Sequence, residues 1–216
     1  MSYEAVIFDL DGTLVHTRPE YHKFIIQKTL NKIGGTLPSE DLIKKFWFEA
    51  NRSVTVEECF GIKPEVFWPV FVNTSLPHVK KDYVELYPDV MDFIIGLKIK
   101  GYKTGVVTGT SPGNADMEIK LVGRRFFDSV VVAHSKTGIA KKPHPVSLEL
   151  CLEQLQVSSE EAVYIGNADE DIELSRNAGV YDILIDREEY PFKTQPSLVV
   201  KSLDELYEFF EIETFK

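Results

Sequence analysis

Only two cysteines occur in 216 residues, and no apolar run approaches the roughly 18 residues of a membrane-spanning helix. Two thiols cannot build a disulfide framework and suit a reducing compartment. Neither Cys59 nor Cys151 lies in a setting that would activate a thiol, so both read as buried and inert rather than nucleophilic. With no membrane run and no signal-peptide pattern at the N-terminus, a cytoplasmic chain with no membrane partner is expected. Positive charge is also in deficit, since 24 Lys and Arg against 34 Asp and Glu leave a net charge of −10. That balance argues against nucleic acid as a partner. It also requires any anionic ligand to find positive charge locally, in a lysine, in helix N-termini or in a metal. Internal repeats and low-complexity segments are absent. An apolar fraction of 44% can fill a core, and the length suits one large domain or a core with a smaller appended unit. Monomer and homodimer are both compatible with this composition.

What the chain does have, at its very start, is an apolar run that ends in acid. Val6, Ile7 and Phe8 are β-branched or aromatic and predict a buried parallel strand. Asp9, Leu10, Asp11, Gly12 and Thr13 follow at once. The two acids read either as turn residues, with Gly12 supplying a positive φ, or as ligand-facing groups at the carboxyl end of a strand. Two carboxylates at one buried tip repel each other, which favours a protonated form or a bound cation. The second reading is the preferred one.

A helical stretch comes next. Arg18 to Ile33 carries an apolar face and stops at Gly34-Gly35. Pro38-Ser39-Glu40 opens a second helix with Leu42, Ile43, Phe46 and Trp47 at helical spacing. Shorter helices are predicted near Val54–Phe60 and Pro64–Val72, and no strand is predicted between His16 and Tyr83. The aromatics of this block fall on helical faces and read as core rather than as a ring-binding site. His16, His22 and Arg52 are its candidates for facing a crevice, although a packed or solvated histidine and a surface arginine are preferred.

From Tyr87-Pro88-Asp89 the pattern alternates. Asp89 is placed to cap a helix from Val90 that closes before Gly101. Strands are predicted at Tyr102–Thr108, Ser129–Ala133, Ala162–Ile165 and Tyr181–Ile185, with an extended run at Ser197–Val200. Helices fall near Ala115–Val122, Pro145–Leu155 and Asp171–Asn177. Ser202 and Glu205 read as a capping box for a last helix over Leu203–Phe210. This alternation implies a doubly wound parallel sheet. Three more segments at element ends can carry chemistry. Thr108-Gly109 offers a hydroxyl and an amide to a phosphate oxygen, and glycine permits close approach. In Lys141-Lys142-Pro143-His144-Pro145, Lys142 supplies a fixed cation, while Lys141 reads as solvated. Gly166-Asn167-Ala168-Asp169-Glu170-Asp171 opens a helix, and Asp169 and Glu170 suit its N-terminal dipole.

Taken in order, Asp9-x-Asp11-Gly-Thr13, Thr108-Gly109, Lys142-Pro-x-Pro145 and Gly166-Asn167-x-x-x-Asp171 resemble the four motifs of the haloacid dehalogenase superfamily, near its phosphoglycolate phosphatases and β-phosphoglucomutases. The resemblance implies an α/β, Rossmann-like core over 1–15 and 86–216, with an all-α cap inserted over 16–85. It implies an Mg²⁺-dependent phosphatase acting on a small phosphorylated metabolite, with Asp9 as nucleophile and Asp11 as proton donor and acceptor. Thr108, Gly109 and Lys142 would hold the phosphoryl group, and Asp9, Asp11, Asn167 and Asp171 would serve the ion. The family usually places aspartate where Asn167 stands, so one negative charge is missing here. A phosphomutase shares every core motif, and a phosphate-binding scaffold with weakened catalysis would account for Asn167. A dehalogenase has no need of Asp11 or of magnesium.

Overall fold

The computed structural model describes residues 3–48, 52–189 and 191–213, the side chains of Arg52 and Ser53 excepted. Its centre is β1 (Ala5–Phe8), four residues with no solvent exposure. β1 pairs in parallel with β4 (Lys103–Thr108) on one side and with β6 (Ala162–Gly166) on the other. β5 (Ser129–Val132) extends the sheet beyond β4, while β7 (Tyr181–Ile185) and β8 (Leu198–Val200) extend it beyond β6. The order β5-β4-β1-β6-β7-β8 is that of a doubly wound Rossmann-like sheet. It reverses direction between β1 and β6, and ligands of such sheets bind outside the carboxyl ends of strands at that point.

A strand buried on both faces must be apolar throughout, which is why β1 and β6 are so readily recognised. On one face Ile7, Val107 and Tyr164 pack with Leu148, Cys151 and Leu155 of α8 (Val146–Leu155) and Leu174 of α9 (Asp169–Asn177). On the other, Phe8 meets Phe93 of α6 (Val90–Lys100) edge-on, with ring centres 6.2 Å apart, and Phe93 in turn meets Phe210. α7 (Pro112–Val122) follows β4 and begins three residues before the predicted Ala115.

Contacts divide the chain into two units, Met1–His16 with Glu85–Lys216, and Thr17–Val84. The second is helical: α1 (Pro19–Lys32), α2 (Glu40–Phe48), α3 (Arg52–Phe60), α4 (Pro64–Thr74) and the single turn α5 (Pro77–Lys80). Its core is aromatic, with Phe46 ringed by Trp47, Phe60, Phe67, Trp68 and Phe71 at centre distances of 4.9–6.1 Å. His22 is buried and stacks on Trp47 at 4.1 Å, so it packs. The side chain of Arg52 lies outside the described residues.

Three local expectations are corrected. β2 (Val15–Thr17) and β3 (Val84–Leu86) form a two-stranded ribbon at the borders of the stretch predicted to lack strands, which β2 enters by His16 and Thr17; three residues are too few to display a period of two. Asp89 makes no side-chain cap on α6, because its carboxylate is held by Arg187 and by the Leu203 amide. The predicted last helix is a tight 3-10 turn at Leu203–Leu206, and Ser202 does not cap it. Glu205 accepts from the Lys201 amide instead. A capping box needs the N3 amide for the N-cap side chain, and here the Glu205 amide donates to the Ser202 carbonyl at 3.3 Å instead.

Candidate active site

Asp9 stands one residue beyond β1, where its amide still bonds to the Ile165 carbonyl at 2.9 Å. Only 7% of it is exposed. Its Oδ1 accepts from Lys142 Nζ at 2.6 Å, and the same ammonium donates to Asp171 Oδ1 at 2.7 Å. One cation therefore serves two buried carboxylates. Burial pushes the Asp9 carboxyl up to about 7; the Lys142 charge opposes that rise and the Asp171 charge adds to it. For Lys142, burial alone would lower the ammonium, but Asp171 and Asp9 outweigh it and hold Lys142 well above the ordinary lysine range. Lys141, its neighbour, is exposed as expected.

Asp171 lies near the start of α9, and its location was legible while its employment was not. Oδ1 takes Lys142 and the Tyr164 hydroxyl, the latter at 3.1 Å. Oδ2 takes the amides of Asn167 and Ala168, each at 3.1 Å. Both oxygens of Asp171 are thus engaged. In this arrangement Asp171 orients the lysine and closes the turn into α9. Asp169 faces the other way and accepts from the Lys193 and Thr194 amides. Gly166 makes this packing possible, since a Cβ there would stand 2.4 Å from Asp171 Cγ.

Tyr164 lies inside the predicted strand Ala162–Ile165 and has no role in the sequence reading. The signal was available, because a tyrosine in a fully buried strand must find a partner for its hydroxyl. That hydroxyl lies 3.1 Å from both Asp171 Oδ1 and the Val107 carbonyl, and burial and then the Asp171 charge hold it well above the ordinary tyrosine range. Tyr164→Phe is expected to lower stability by about 1–3 kcal/mol, the cost of leaving buried acceptors short of a donor. Urea unfolding measures this, and an unchanged midpoint would place the hydroxyl outside the network.

The other predicted residues gather at the same end of the sheet. Thr108 ends β4, is buried, and accepts from the Thr110 amide at 3.2 Å. Gly109 has an ordinary backbone, and a Cβ on it would meet nothing within 4 Å. Neither a positive φ nor packing among the described residues demands glycine there. Asp11, half-buried, opens a turn closed by an Asp11–Val15 bridge. Thr13 in that turn points its hydroxyl at Asn167 Oδ1, 3.4 Å away. Asn167 Nδ2 is buried without a partner. No three His, Cys, Asp or Glu side chains converge to hold a metal among the described residues. Oxygens of Asp9, the Asp11 backbone and Asn167 are nevertheless hard donors, and magnesium needs few protein ligands because it keeps several waters. A site with one ammonium for two buried carboxylates is short of positive charge, and a divalent cation fits that shortage.

Comparison with known proteins agrees with this geometry. The family model described as haloacid dehalogenase-like hydrolase matches residues 6–185. Pyrophosphatase PpaX of Bacillus cereus is 30% identical over 184 residues, covering 83% of this chain and 81% of the relative. Among solved structures, a Lactobacillus plantarum protein assigned to the phosphoglycolate phosphatases superposes with a TM-score of 0.78 at 21% identity, covering 97% of this chain and all of the other. CbbY of Rhodobacter sphaeroides, solved with phosphate, gives 0.73 at 20% identity, covering 94% and 96%. At such identities the structural likeness is one of fold. No helix among the described residues is long and apolar enough to cross a membrane. With the matched segment running from inside β1 to the end of β7, and the strand-tip acids and buried lysine inside it, the chain belongs to the haloacid dehalogenase-like hydrolases.

Proposed function

We propose that the protein is an Mg²⁺-dependent phosphatase that hydrolyses a small phosphomonoester through an aspartyl-phosphate. The observation that carries this reading is the buried Asp9 carboxylate, held 2.6 Å from Lys142 Nζ at the tip of β1. A carboxylate so placed can attack phosphorus and divide the reaction into two easier steps. Lys142 offsets the repulsion between that carboxylate and a phosphate dianion, and Thr108 and the Gly109 amide add donors to the phosphoryl oxygens. Asp11 protonates the leaving oxygen, then takes the proton from the attacking water. When bound, Mg²⁺ neutralises charge on the phosphoryl oxygens, with Asp9, the Asp11 carbonyl and Asn167 as its holders. The helical unit is read as a cap that selects the substrate.

The names of the relatives point to phosphate chemistry of more than one kind, pyrophosphate and phosphoglycolate included. The preferred substrate class is phosphoglycolate-like or a sugar phosphate, in a cytoplasmic setting. Phosphate release from a panel of phosphorylated metabolites and pyrophosphate, with and without Mg²⁺, tests this. No turnover of any member, nor of an aryl phosphate, would leave a phosphate-binding scaffold. Isomerised sugar phosphate without free phosphate would point to a mutase.

Asn167→Asp is expected to tighten Mg²⁺, because it adds a negative charge at nearly constant shape. Changes one shell further out already alter metal affinity about 10- to 100-fold, so a ligand should show at least a comparable effect. Activity at low Mg²⁺ should rise. An unchanged half-saturating Mg²⁺ concentration would remove Asn167 from the ion's site.

A further inference from the structure

Arg187, two residues beyond β7, is a buried cation that no step above uses. Its side chain is 7% exposed and pairs bidentately with the equally buried Asp89: Nη1 donates to Oδ2 at 2.7 Å and Nη2 to Oδ1 at 3.0 Å. Its guanidinium carbon lies over the Tyr87 ring, 4.0 Å from the centre. Nη2 also donates to the Thr13 carbonyl at 3.1 Å, while Nε is buried without a partner. A buried ion pair is weak evidence of a stability role, because desolvation offsets most of its attraction. This pair is built for placement: a rigid fork, fixed by a carboxylate and an aromatic face, delivers one N–H to one backbone oxygen.

That oxygen belongs to the turn carrying Asp11. Residues 11–15 close on themselves through Gly12 N–H to the Val15 carbonyl at 2.8 Å, with Gly12 at φ +88°. Thr13 is then tied by its carbonyl to Arg187 and by its hydroxyl to Asn167. Further along, the Tyr87 amide donates to the Leu14 carbonyl at 3.3 Å, and Glu189 pairs with His16 at 2.6 Å while accepting from the Tyr87 hydroxyl at 2.9 Å. Asp89 is itself pinned by the Leu203 amide at 2.8 Å. The Arg187 guanidinium thus ties the turn at Thr13 to β7 and to the start of α6, beside the Tyr87–Leu14 backbone bond one residue on.

We propose that Arg187 is a positioning residue for Asp11, holding the Thr13 carbonyl so that the Asp11 carboxyl meets the leaving oxygen. The inference rests on the reading of Asp11 as proton donor. Its signature is dependence on the leaving group. The value of kcat/KM covers transfer to Asp9, and an activated nitrophenyl leaving group needs little of the acid that an alkyl phosphate requires.

The experiment compares kcat/KM for an alkyl phosphate and for nitrophenyl phosphate in Arg187→Met, Arg187→Lys, Asp11→Asn and Arg187→Met combined with Asp11→Asn. Misplacing a reacting group by an ångström costs about 10²-fold, so Arg187→Met should lose about that much on the alkyl substrate. It should lose within about threefold on the nitrophenyl one, where little proton donation is needed. Arg187→Lys should fall between wild type and Arg187→Met, and Arg187→Met should lose little more in the Asp11→Asn background, because the two act on one step. Equal losses on both substrates in Arg187→Met, with a selective loss in Asp11→Asn, overturn the role of Arg187 and leave that of Asp11 standing. Equal losses in Asp11→Asn itself remove the proton-donor reading and this inference with it. Should Arg187→Met fail to fold because Asp89 is stranded, the paired variant Asp89→Asn with Arg187→Gln removes both charges and is judged by the same two substrates.

Discussion

Asp9→Asn is expected to abolish turnover while leaving the fold intact. The amide is a poor nucleophile, so the first chemical step has no route. Loss of one essential member of a catalytic unit costs far more than a hundredfold, and activity above about one hundredth of wild type would show that Asp9 is not the nucleophile. The fold survives because Lys142 keeps Asp171 as its partner at 2.7 Å. Stability should even improve near neutrality. The folded carboxyl sits at about 7 against an ordinary 3.8, so between these values the native state holds a proton that the unfolded chain has released. Stability of the metal-free wild type therefore declines as pH rises from about 4 to about 7. In Asp9→Asn that contribution to the slope disappears. Urea melts of both proteins across this window check the sign, and a wild-type slope rising over the same range would contradict it.

Lys142→Met should be severe on both stability and activity. Methionine matches the stem of the lysine and leaves Asp9 and Asp171 facing each other without their cation. Breaking a buried pair by removing one partner costs about 3–5 kcal/mol, against near-neutral effects for exposed lysines. The exposed neighbour supplies the control, since Lys141→Met should change neither property measurably. Turnover should fall by at least about 10²-fold, as when other preorganised donors to a reacting oxyanion are removed. Adding Asp171→Asn to Lys142→Met should recover part of the lost stability and none of the activity, because it removes a repulsion without restoring a cation. Unfolding midpoints and phosphate release measured on the three variants separate these effects.

Much of this molecule was readable along the chain because parallel sheets write themselves locally. A strand buried on both faces is apolar end to end, and the residue that breaks the run marks the strand's tip. Asp9, Thr108 and Asn167 were placed in this way, each at the end of its own strand, and the order of the motifs identified the family. Residues 16–85 read as helical for a similar local reason, since Phe46 and Phe67 recur on helical faces that bury them.

Tertiary structure alone decided the assignment of partners. Lys142 and Asp9 are separated by 133 residues, Arg187 and Asp89 by 98, and Arg187 and Thr13 by 174. No local pattern reports which acid a cation will face. Asp89 and Ser202 carried the right residue types for caps, yet the Leu203 amide went to Asp89. Asp171 is a carboxylate at a helix start, and only the fold shows that Lys142 is among its donors. A carboxylate can satisfy any nearby donor, so its residue type specifies what it accepts, and only the packing of the strands and helices around it specifies from whom.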